Sequence, residues 1–216
     1  MKFICINTAG DKVELLVYNN KKISFKSDGF KKASETLFVF LDELLQAQNL
    51  KAADLDFIAV VSGPGSFTGI RIGLTLARTL AQALNKGIIS VTYHKMLAYN
   101  NKDLLDTVVL TDAANGLVYA SVFNKDKDSS ELPKVLPISE LPEFLSSIEQ
   151  PYTLVTEEKL QPQIKIESKN VVVSKDNSKA TQQAAIDEFN KNGTQNYSNI
   201  VPLYVRVSQA EANLKC

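Results

Sequence analysis

The stretch SGPGSFTGIRIG, residues 62–73, carries four glycines between the apolar run FIAVV at 57–61 and a long apolar segment with helical spacing. A short continuous apolar run is typical of a strand that is buried on both faces of a sheet. A glycine turn between a strand and a helix either cradles phosphate or lets two backbones approach closely. The order of strand, turn and helix predicts an α/β protein.

The glycine spacing does not match the common phosphate-binding motifs. A Walker loop needs lysine and a hydroxyl residue directly after its last glycine, whereas Ile70 and Arg71 follow Gly69 here. The dinucleotide fingerprint also fails, because the spacing of Gly63, Gly65 and Gly69 is one residue too wide. An anion can rest on the amides of almost any helix start. The loop alone is therefore a weak indication of phosphate chemistry.

Composition excludes several classes of protein. The chain has 216 residues, 44% of them hydrophobic, which is enough to bury a substantial core. Its 24 basic and 24 acidic residues lack the excess positive charge of a protein that grips nucleic acid alone. Cys5 and Cys216 form neither a disulfide framework nor a metal spacing. No apolar run has the length of a signal peptide or a membrane span, so we expect a cytoplasmic protein.

The periodicity predicts two related halves. In the first half we expect strands at Lys2–Asn7, Val13–Tyr18 and Lys22–Phe25, a helix at Ser34–Gln48, a strand at Phe57–Val61, a helix at Thr68–Asn85 and a strand at Ile88–Val91. In the second half we expect strands at Asp106–Asp112, Leu117–Phe123, Tyr152–Thr156 and Val171–Val173, and helices at Glu140–Ile148, capped by Ser139, and Thr181–Lys191. Lys125–Ser130 reads as a solvated loop. We therefore predict two α/β domains, residues 1–102 and a reduced domain at 103–216, joined by a hinge at Asn100–Asp103.

The helix after the loop has a row of small residues. This row recurs every fourth position and consists of Gly69, Gly73, Ala77 and Ala81. The polar residues of the helix form one narrow stripe, and apolar residues occupy nearly all of its remaining circumference. A helix with so little polar surface needs cover on two sides, with its own sheet on one of them. The second cover is either the preceding helix, Ser34–Gln48, or another chain.

SGPGSFTGIRIG closely resembles the signature of the bacterial TsaB family, formerly YeaZ. The opening strand ending in Asn7-Thr8-Ala9, the run ADLDFIAVV before the loop, the hairpin LTDAANGLVYASVF and the closing PLYVR resemble the family in the same order. The resemblance implies an actin-like and sugar-kinase-like (ASKHA) duplicated fold with two α/β domains. It also implies a noncatalytic subunit of the machinery that makes threonylcarbamoyladenosine in tRNA, beside the anticodon.

The resemblance implies partners as well. They are a TsaD-like transferase, bound as a heterodimer through first-domain helices, and a TsaE-like ATPase. The resemblance also implies that tRNA is contacted only indirectly and that no membrane is involved. The isolated chain is expected to form a homodimer. The interface residues implied are Ser34, Leu37, Phe38, Leu41, Leu45, Gly69, Ile70, Arg71, Gly73, Leu74, Ala77 and Arg78. On this view a bulky residue at Gly73 abolishes the complex and leaves the isolated fold intact.

A nucleotide site is implied less directly. Its candidate residues are Asn7, Thr8, Gly65, Ser66 and Asp112, with ATP or ADP expected only at the shared interface and no cofactor in the isolated chain. Asp112 is also a capping candidate in its turn.

The residues argue against catalysis by this chain. Catalytic relatives hold a metal with two histidines four positions apart on the first helix. The only histidine here is His94, which follows a strand and is expected in a loop, so no metal site is expected. Many family members carry aspartate where Asn7 stands, and most carry a histidine before the Ser34-Glu35 pair, where this chain has Ala33.

Two other classes of function remain open at the level of sequence. One is an independent enzyme, either an ATP-dependent transferase or a glycoprotease-like enzyme of the same fold. The missing histidine pair weighs against it. The other is a scaffold that associates with itself and acts without the transferase.

Overall fold

The computed structural model describes residues 1–29, 33–129, 131–164 and 170–206, with the backbone alone at positions 33 and 34. The chain divides into two compact units. The first unit comprises Met1–Tyr93 and Thr181–Leu203, and the second comprises His94–Ala180 and the described residues from Tyr204 onward. None of the described helices has both the length and the apolar character needed to cross a membrane.

The first unit is built on one five-stranded sheet. Its strands are β1 (Lys2–Asn7), β2 (Lys12–Asn19), β3 (Lys22–Gly29), β4 (Phe57–Val61) and β5 (Gly87–Val91), in the spatial order β3-β2-β1-β4-β5. The first three strands pair antiparallel, and β4 and β5 add parallel to β1. Asn20 and Lys21 close the β2–β3 hairpin with φ of 44° and 85°, the left-handed geometry that suits a tight hairpin turn.

Helices cover both faces of this sheet. They are α1 (Ala33–Ala47), α2 (Phe67–Leu84) and α5 (Ser178–Asn192), with the division between the units inside α5. α1 packs on β2 and β3, whereas α2 packs mainly on β4 and also contacts α1. On the opposite face, Phe189 of α5 stacks on Phe57, with 4.5 Å between ring centroids, and Phe57 stacks on Phe3 at 4.9 Å. The central strands are therefore buried on both faces, which explains their continuous apolar sequence.

The second unit repeats the topology of the first. Its strands are β6 (Asp106–Asp112), β7 (Leu117–Phe123), β8 (Lys134–Pro137), β9 (Tyr152–Glu157) and β10 (Val171–Ser174), in the order β10-β9-β6-β7-β8. β6, β7 and β8 pair antiparallel, and β9 and β10 add parallel to β6. The short helix α4 (Leu141–Ser146) covers the face that carries Val108 and Leu110. The repeated topology confirms the predicted duplicated ASKHA fold.

Several local predictions were wrong. The boundary between the units lies at residues 93 and 94 rather than 102 and 103, and most of the last helix joins the first unit. β8 was missed, and residues Tyr93–Ala98 form a helix, α3, instead of a loop. Ser139 lies in a 3-10 turn and does not cap α4, whose N-cap position is Glu140.

Candidate functional site

The glycine loop packs against the end of β1. Ser66 caps α2, since its Oγ accepts a hydrogen bond from the Gly69 amide at 3.1 Å. The Ser66 amide donates to the Ala9 carbonyl at 2.8 Å. Gly65 has φ of +149°, and a Cβ placed there would lie 2.1 Å from the Ala9 oxygen. This glycine is required because the backbone of the same chain occupies the space of a side chain.

Asn7 and Thr8 lie beside this loop, so the structure brings together four of the five predicted nucleotide-binding residues. Thr8 Oγ1 donates to the Gly69 carbonyl at 2.7 Å, which ties β1 to α2. Asn7 Nδ2 donates to Glu14 Oε2 at 2.6 Å, and Asn7 Oδ1 accepts from the Ala9 amide at 3.1 Å. All three polar side chains are buried. Their hydrogen bonds thus serve the fold of this chain.

The residues at the end of β1, around Asn7, do not fit a site for a divalent cation. Such an ion takes six or more oxygen ligands, with carboxylates prominent among them. Asn7 stands where an aspartate would supply charge, and the nearby Glu14 carboxylate already accepts from the Asn7 amide. Across the described part of the chain, no three histidine, cysteine, aspartate or glutamate residues converge as metal ligands would. Burial, with the Glu14 charge as a smaller cause, raises the pKa of the Cys5 thiol on the same face of the sheet.

The row of small residues on α2 faces the sheet of its own unit. A Cβ on Gly73 would lie 2.3 Å from Thr8 Oγ1 and 3.5 Å from the Ile6 side chain. Gly69, Ala77 and Ala81 are buried on the same helix. The interpretation that this row lets another chain approach is therefore wrong. Small residues bring α2 close to β1, where a larger side chain would push the helix away from the sheet.

Most of the predicted interface residues are buried inside the chain. The buried ones, which leave little or no area to a partner in this conformation, are Leu37, Leu45, Gly69, Ile70, Gly73, Leu74 and Ala77. Ser34 lies outside the described side chains. Phe38, Arg71 and Arg78 are exposed and Leu41 is half-buried. The remaining surface is smaller than predicted and centres on the middle of α1.

Part of the exposed surface of α1 is apolar. Phe38 is 60% exposed and the adjacent Val39 is 54% exposed, although both are large hydrophobic residues. Elsewhere on the helix, Lys26 of β3 forms an ion pair with Glu43 and lies 5.4 Å from the centre of the Phe40 ring. α1 is thus held on the sheet by its Leu37 face and by Lys26. Phe38, Val39 and the half-buried Leu41 together form the α1 face.

Asp112 lies in the second unit, in the β6–β7 hairpin. Its Oδ1 accepts from the Ala114 amide at 2.8 Å and its Oδ2 pairs with Lys159 Nζ at 3.1 Å. Arg206, the last described residue, donates from Nη1 to the Ala113 carbonyl. Burial raises the pKa of Tyr119. The Arg206 charge opposes this increase, and the Asp112 charge adds to it. The carboxylate of Asp112 therefore acts in the turn, as its capping interpretation predicts.

His94 is fully buried in α3. Its Nδ1 lies 2.7 Å from Ser121 Oγ and its Nε2 lies 2.8 Å from Thr111 Oγ1. Burial lowers the pKa of His94 to about 3, so the ring is neutral at physiological pH. Both nitrogens bond to hydroxyl groups, one as donor and the other as acceptor, so the single lone pair of the neutral ring is already used in a hydrogen bond.

Lys127 and Asn101 are buried residues that the sequence interpretation placed in a solvated loop and in a hinge, respectively. Lys127 Nζ and Asn101 Nδ2 both donate to Thr107 Oγ1, at 2.9 Å each. Burial lowers the pKa of Lys127, an effect that the Asp106 charge opposes. The predicted solvated loop and predicted hinge are thus anchored to β6 within the second unit. An isolated lysine in a charged loop gives no sequence signal for this burial.

Comparison with known proteins places the chain in a family. A profile described as TsaD, tRNA N6-adenosine threonylcarbamoyltransferase, matches residues 17–186. The chain belongs to the TsaD family. Within that family, its matched relatives include proteins named tRNA threonylcarbamoyladenosine biosynthesis protein TsaB. The protein from Bacillus subtilis (strain 168) is 40% identical over 81 residues, which cover 37% of this chain and 35% of the relative.

Another TsaB relative extends the match and a solved structure supports the fold. TsaB from Buchnera aphidicola subsp. Acyrthosiphon pisum (strain APS) is 26% identical over 166 residues, covering 72% of this chain and 74% of the relative. YeaZ from Pseudomonas aeruginosa superposes with a TM-score of 0.78 at 16% identity, covering 94% of this chain and 99% of that chain. The resemblance to the TsaB or YeaZ type within the TsaD family is confirmed. The match to the Bacillus relative spans only about a third of that protein.

Proposed function

We propose that this chain is a noncatalytic subunit in the biosynthesis of threonylcarbamoyladenosine in tRNA, and that it binds a TsaD-like transferase through the α1 face. The names of the TsaB relatives support the pathway. The observation that supports the partner is that α1 leaves two large apolar side chains exposed at consecutive positions, Phe38 and Val39. Exposed apolar residues that cluster on a helix are typical of a protein interface.

Burial of this small patch favours association but does not by itself offset the cost of bringing two chains together, so further contact area must contribute. Complete burial of an apolar side chain contributes about 1.5–3 kcal/mol, and Phe38 and Val39 retain more than half of their area for a partner. Arg71 and Arg78 are exposed on α2, which contacts α1, and Asp42 is exposed on α1 itself. These charges add specificity more than affinity, because exposed ion pairs contribute under about 1 kcal/mol each.

The noncatalytic part of the proposal is supported by the state of two residues. Asn7 lacks the charge of an aspartate and is hydrogen-bonded to Glu14. His94 is buried, neutral and bonded on both ring nitrogens to hydroxyl groups. Neither residue is available to activate a nucleophile or to hold a metal.

The proposal includes further partners. We propose that a nucleotide, ATP or ADP, binds only at the surface shared with the transferase. The hydroxyl groups of Thr8 and Ser66, which are used within this chain, support this restriction. A TsaE-like ATPase joins the complex, tRNA is contacted through the transferase, and the isolated chain pairs with itself through the same α1 face.

The test is a pair of charge substitutions with a matched control. Phe38→Asp places a carboxylate at the centre of the proposed contact, and Leu104→Asp makes the same change at an 87% exposed leucine of the second unit. We expect Phe38→Asp to weaken binding of the TsaD-like transferase by about 30-fold or more in calorimetry. Leu104→Asp keeps wild-type affinity, and both variants keep their thermal stability because both side chains are exposed.

Equal affinity of Phe38→Asp and wild type would contradict the proposed contact. In a reconstituted assay of tRNA modification, Phe38→Asp is expected to lose activity in proportion to its lost affinity, and excess variant restores it. Turnover by this chain alone, in the absence of the transferase, would refute the noncatalytic role. A chain that pairs with itself and ignores the transferase would support the scaffold instead.

A further inference from the structure

Two asparagines of the chain directly precede a glycine. They are Asn115, in the β6–β7 turn, and Asn192, the last residue of α5. Glycine has no side chain to hinder its backbone nitrogen, so that nitrogen can approach the side chain of the preceding asparagine. Gly116 and Gly193 also share left-handed geometry, with φ of 74° and 65°, and a Cβ added to either would meet nothing within 4 Å. The two pairs therefore form a matched comparison within one protein.

The β6–β7 turn leaves the first pair unrestrained. The Leu117 amide donates to the Ala114 carbonyl at 3.1 Å, which places Asn115 and Gly116 at the two central positions of a tight turn. Asn115 has φ of 57°, so both central residues are left-handed, as in the type I′ turn of a hairpin. Both are exposed, and neither the Gly116 amide nor the Asn115 side chain hydrogen-bonds to any residue in the described part of the chain.

The end of α5 restrains the second pair. The Gly193 amide donates to the Phe189 carbonyl at 2.8 Å, and Asn192 Nδ2 donates to Glu188 Oε1 at 2.6 Å. Asn192 also belongs to the last turn of the helix. A hydrogen-bonded amide gives up its proton to solvent only after that bond has opened. The fold therefore holds both groups that would have to react at Asn192.

We propose that Asn115 is a site of spontaneous deamidation in the folded chain, whereas the fold protects Asn192. Hydroxide removes the Gly116 amide proton, and the nitrogen attacks Asn115 Cγ. The bond from Cγ to the side-chain nitrogen breaks, and ammonia leaves with a proton taken from water, which closes a succinimide ring. Water then adds to one of the two ring carbonyls and breaks the bond from that carbon to the Gly116 nitrogen. Opening at Cγ gives aspartate and opening at the main-chain carbonyl gives isoaspartate, so the net change replaces NH₂ by OH.

The modification alters the turn that Arg206 contacts. Arg206 Nη1 donates to the Ala113 carbonyl and lies 3.4 Å from the Ala114 carbonyl. Deamidation adds a carboxylate beside Ala114 in a chain whose formal net charge is 0, so the product is a more acidic form of the protein. Isoaspartate also lengthens the main chain by a methylene group, and the hydrogen bond between Leu117 and Ala114 must then rearrange.

The test is incubation of the full chain at mildly alkaline pH, followed by digestion at acidic pH and mass spectrometry of the two asparagine–glycine peptides. Electron-transfer fragmentation distinguishes aspartate from isoaspartate, and ion-exchange chromatography follows the acidic form of the intact chain. In the folded chain we expect Asn115 to deamidate at least about tenfold faster than Asn192, because Asn192 must first lose two hydrogen bonds. In concentrated urea the two rates should become similar, since unfolding removes that protection.

Two further measurements connect the reaction to the structure. Amide hydrogen exchange should be fast at Gly116 and slow at Gly193. Asn115→Gln should abolish the early acidic form, because glutamine would have to close a larger ring, and it should leave the slow reaction at Asn192 unchanged. The proposal is overturned if Asn192 reacts as fast as Asn115 in the folded chain, if Gly116 is as protected from exchange as Gly193, or if Asn115 reacts only in urea.

Discussion

Replacement of Gly73 by alanine tests the contact that places α2 on its sheet. The new Cβ would lie 2.3 Å from Thr8 Oγ1, closer than any van der Waals contact. Thr8 is completely buried and its hydroxyl donates to the Gly69 carbonyl at 2.7 Å. Either α2 shifts away from β1, or Thr8 rotates and loses that hydrogen bond. We therefore expect even Gly73→Ala to destabilise the isolated chain, whereas the sequence interpretation expected a bulky residue at this position to leave the isolated fold intact.

The magnitude follows from three contributions. Overpacking of a filled core costs about 1–3 kcal/mol. Loss of the Thr8 hydrogen bond costs about 1 kcal/mol. The higher helix propensity of alanine returns about 1 kcal/mol. We expect a net loss of about 1–3 kcal/mol in the free energy of unfolding, measured by urea denaturation with far-ultraviolet circular dichroism.

Two further variants make the Gly73→Ala experiment decisive. Thr75→Ala, at an exposed position of the same helix, is the control and should change stability by less than about 0.5 kcal/mol. Thr8→Ala removes the hydroxyl that the new methyl group meets. The double variant should be more stable than the sum of the single effects by about 1 kcal/mol or more. If Gly73→Ala is as stable as wild type, or if Thr8→Ala gives no rescue, the assigned packing is wrong.

Other buried groups give predictions of the same kind. The pKa of His94 is about 3 in the folded chain and 6.5 when the ring is exposed. The folded state therefore loses up to about 5 kcal/mol of stability as pH falls from 6.5 towards 3, because the unfolded chain binds a proton that the folded chain does not. In His94→Gln, the midpoint of urea denaturation should depend less on pH over this range than it does in wild type. Gly65→Ala, which sets a methyl group against the Ala9 oxygen at positive φ, should cost about 2 kcal/mol or more by the same assay and leave less folded protein on expression. Burial lowers the pKa of Lys127 in the folded chain below 10.5, the value of the exposed amine. Below the folded pKa the buried charged amine destabilises the folded state, and this destabilisation decreases as pH rises towards 10.5. Wild type should therefore gain stability relative to Lys127→Met on titration from neutral to alkaline pH, and a constant difference would contradict the burial of the amine.

Strong periodic patterns predicted most of the elements correctly. β1, β4, β6 and β7 have the predicted bounds, and α2 differs from its prediction by one residue at each end. These segments have long apolar runs or a strong turn, so local pattern and tertiary packing agree. β8 was missed because its four residues, Lys134–Pro137, have no clear alternation and form a strand only through pairing with β7.

The candidate site was predicted only in part. Asn7, Thr8, Gly65 and Ser66 lie together as expected, since the end of β1 meets the start of α2. The helix faces were assigned wrongly, and the buried Lys127 was not foreseen. Burial of a single charged residue depends on where its loop lands on the sheet, and no local pattern encodes that position.

The amino-acid sequence by itself determined most of the strands and helices, the duplicated order and the family, because hydrophobic period, turn residues and the loop signature are local properties. Only the tertiary structure decided which surface of each helix is left for a partner. A row of glycine and alanine allows close approach but does not specify the neighbour. In this chain the neighbour is β1, through Thr8 and Ile6, and the surface that remains exposed is the one around Phe38.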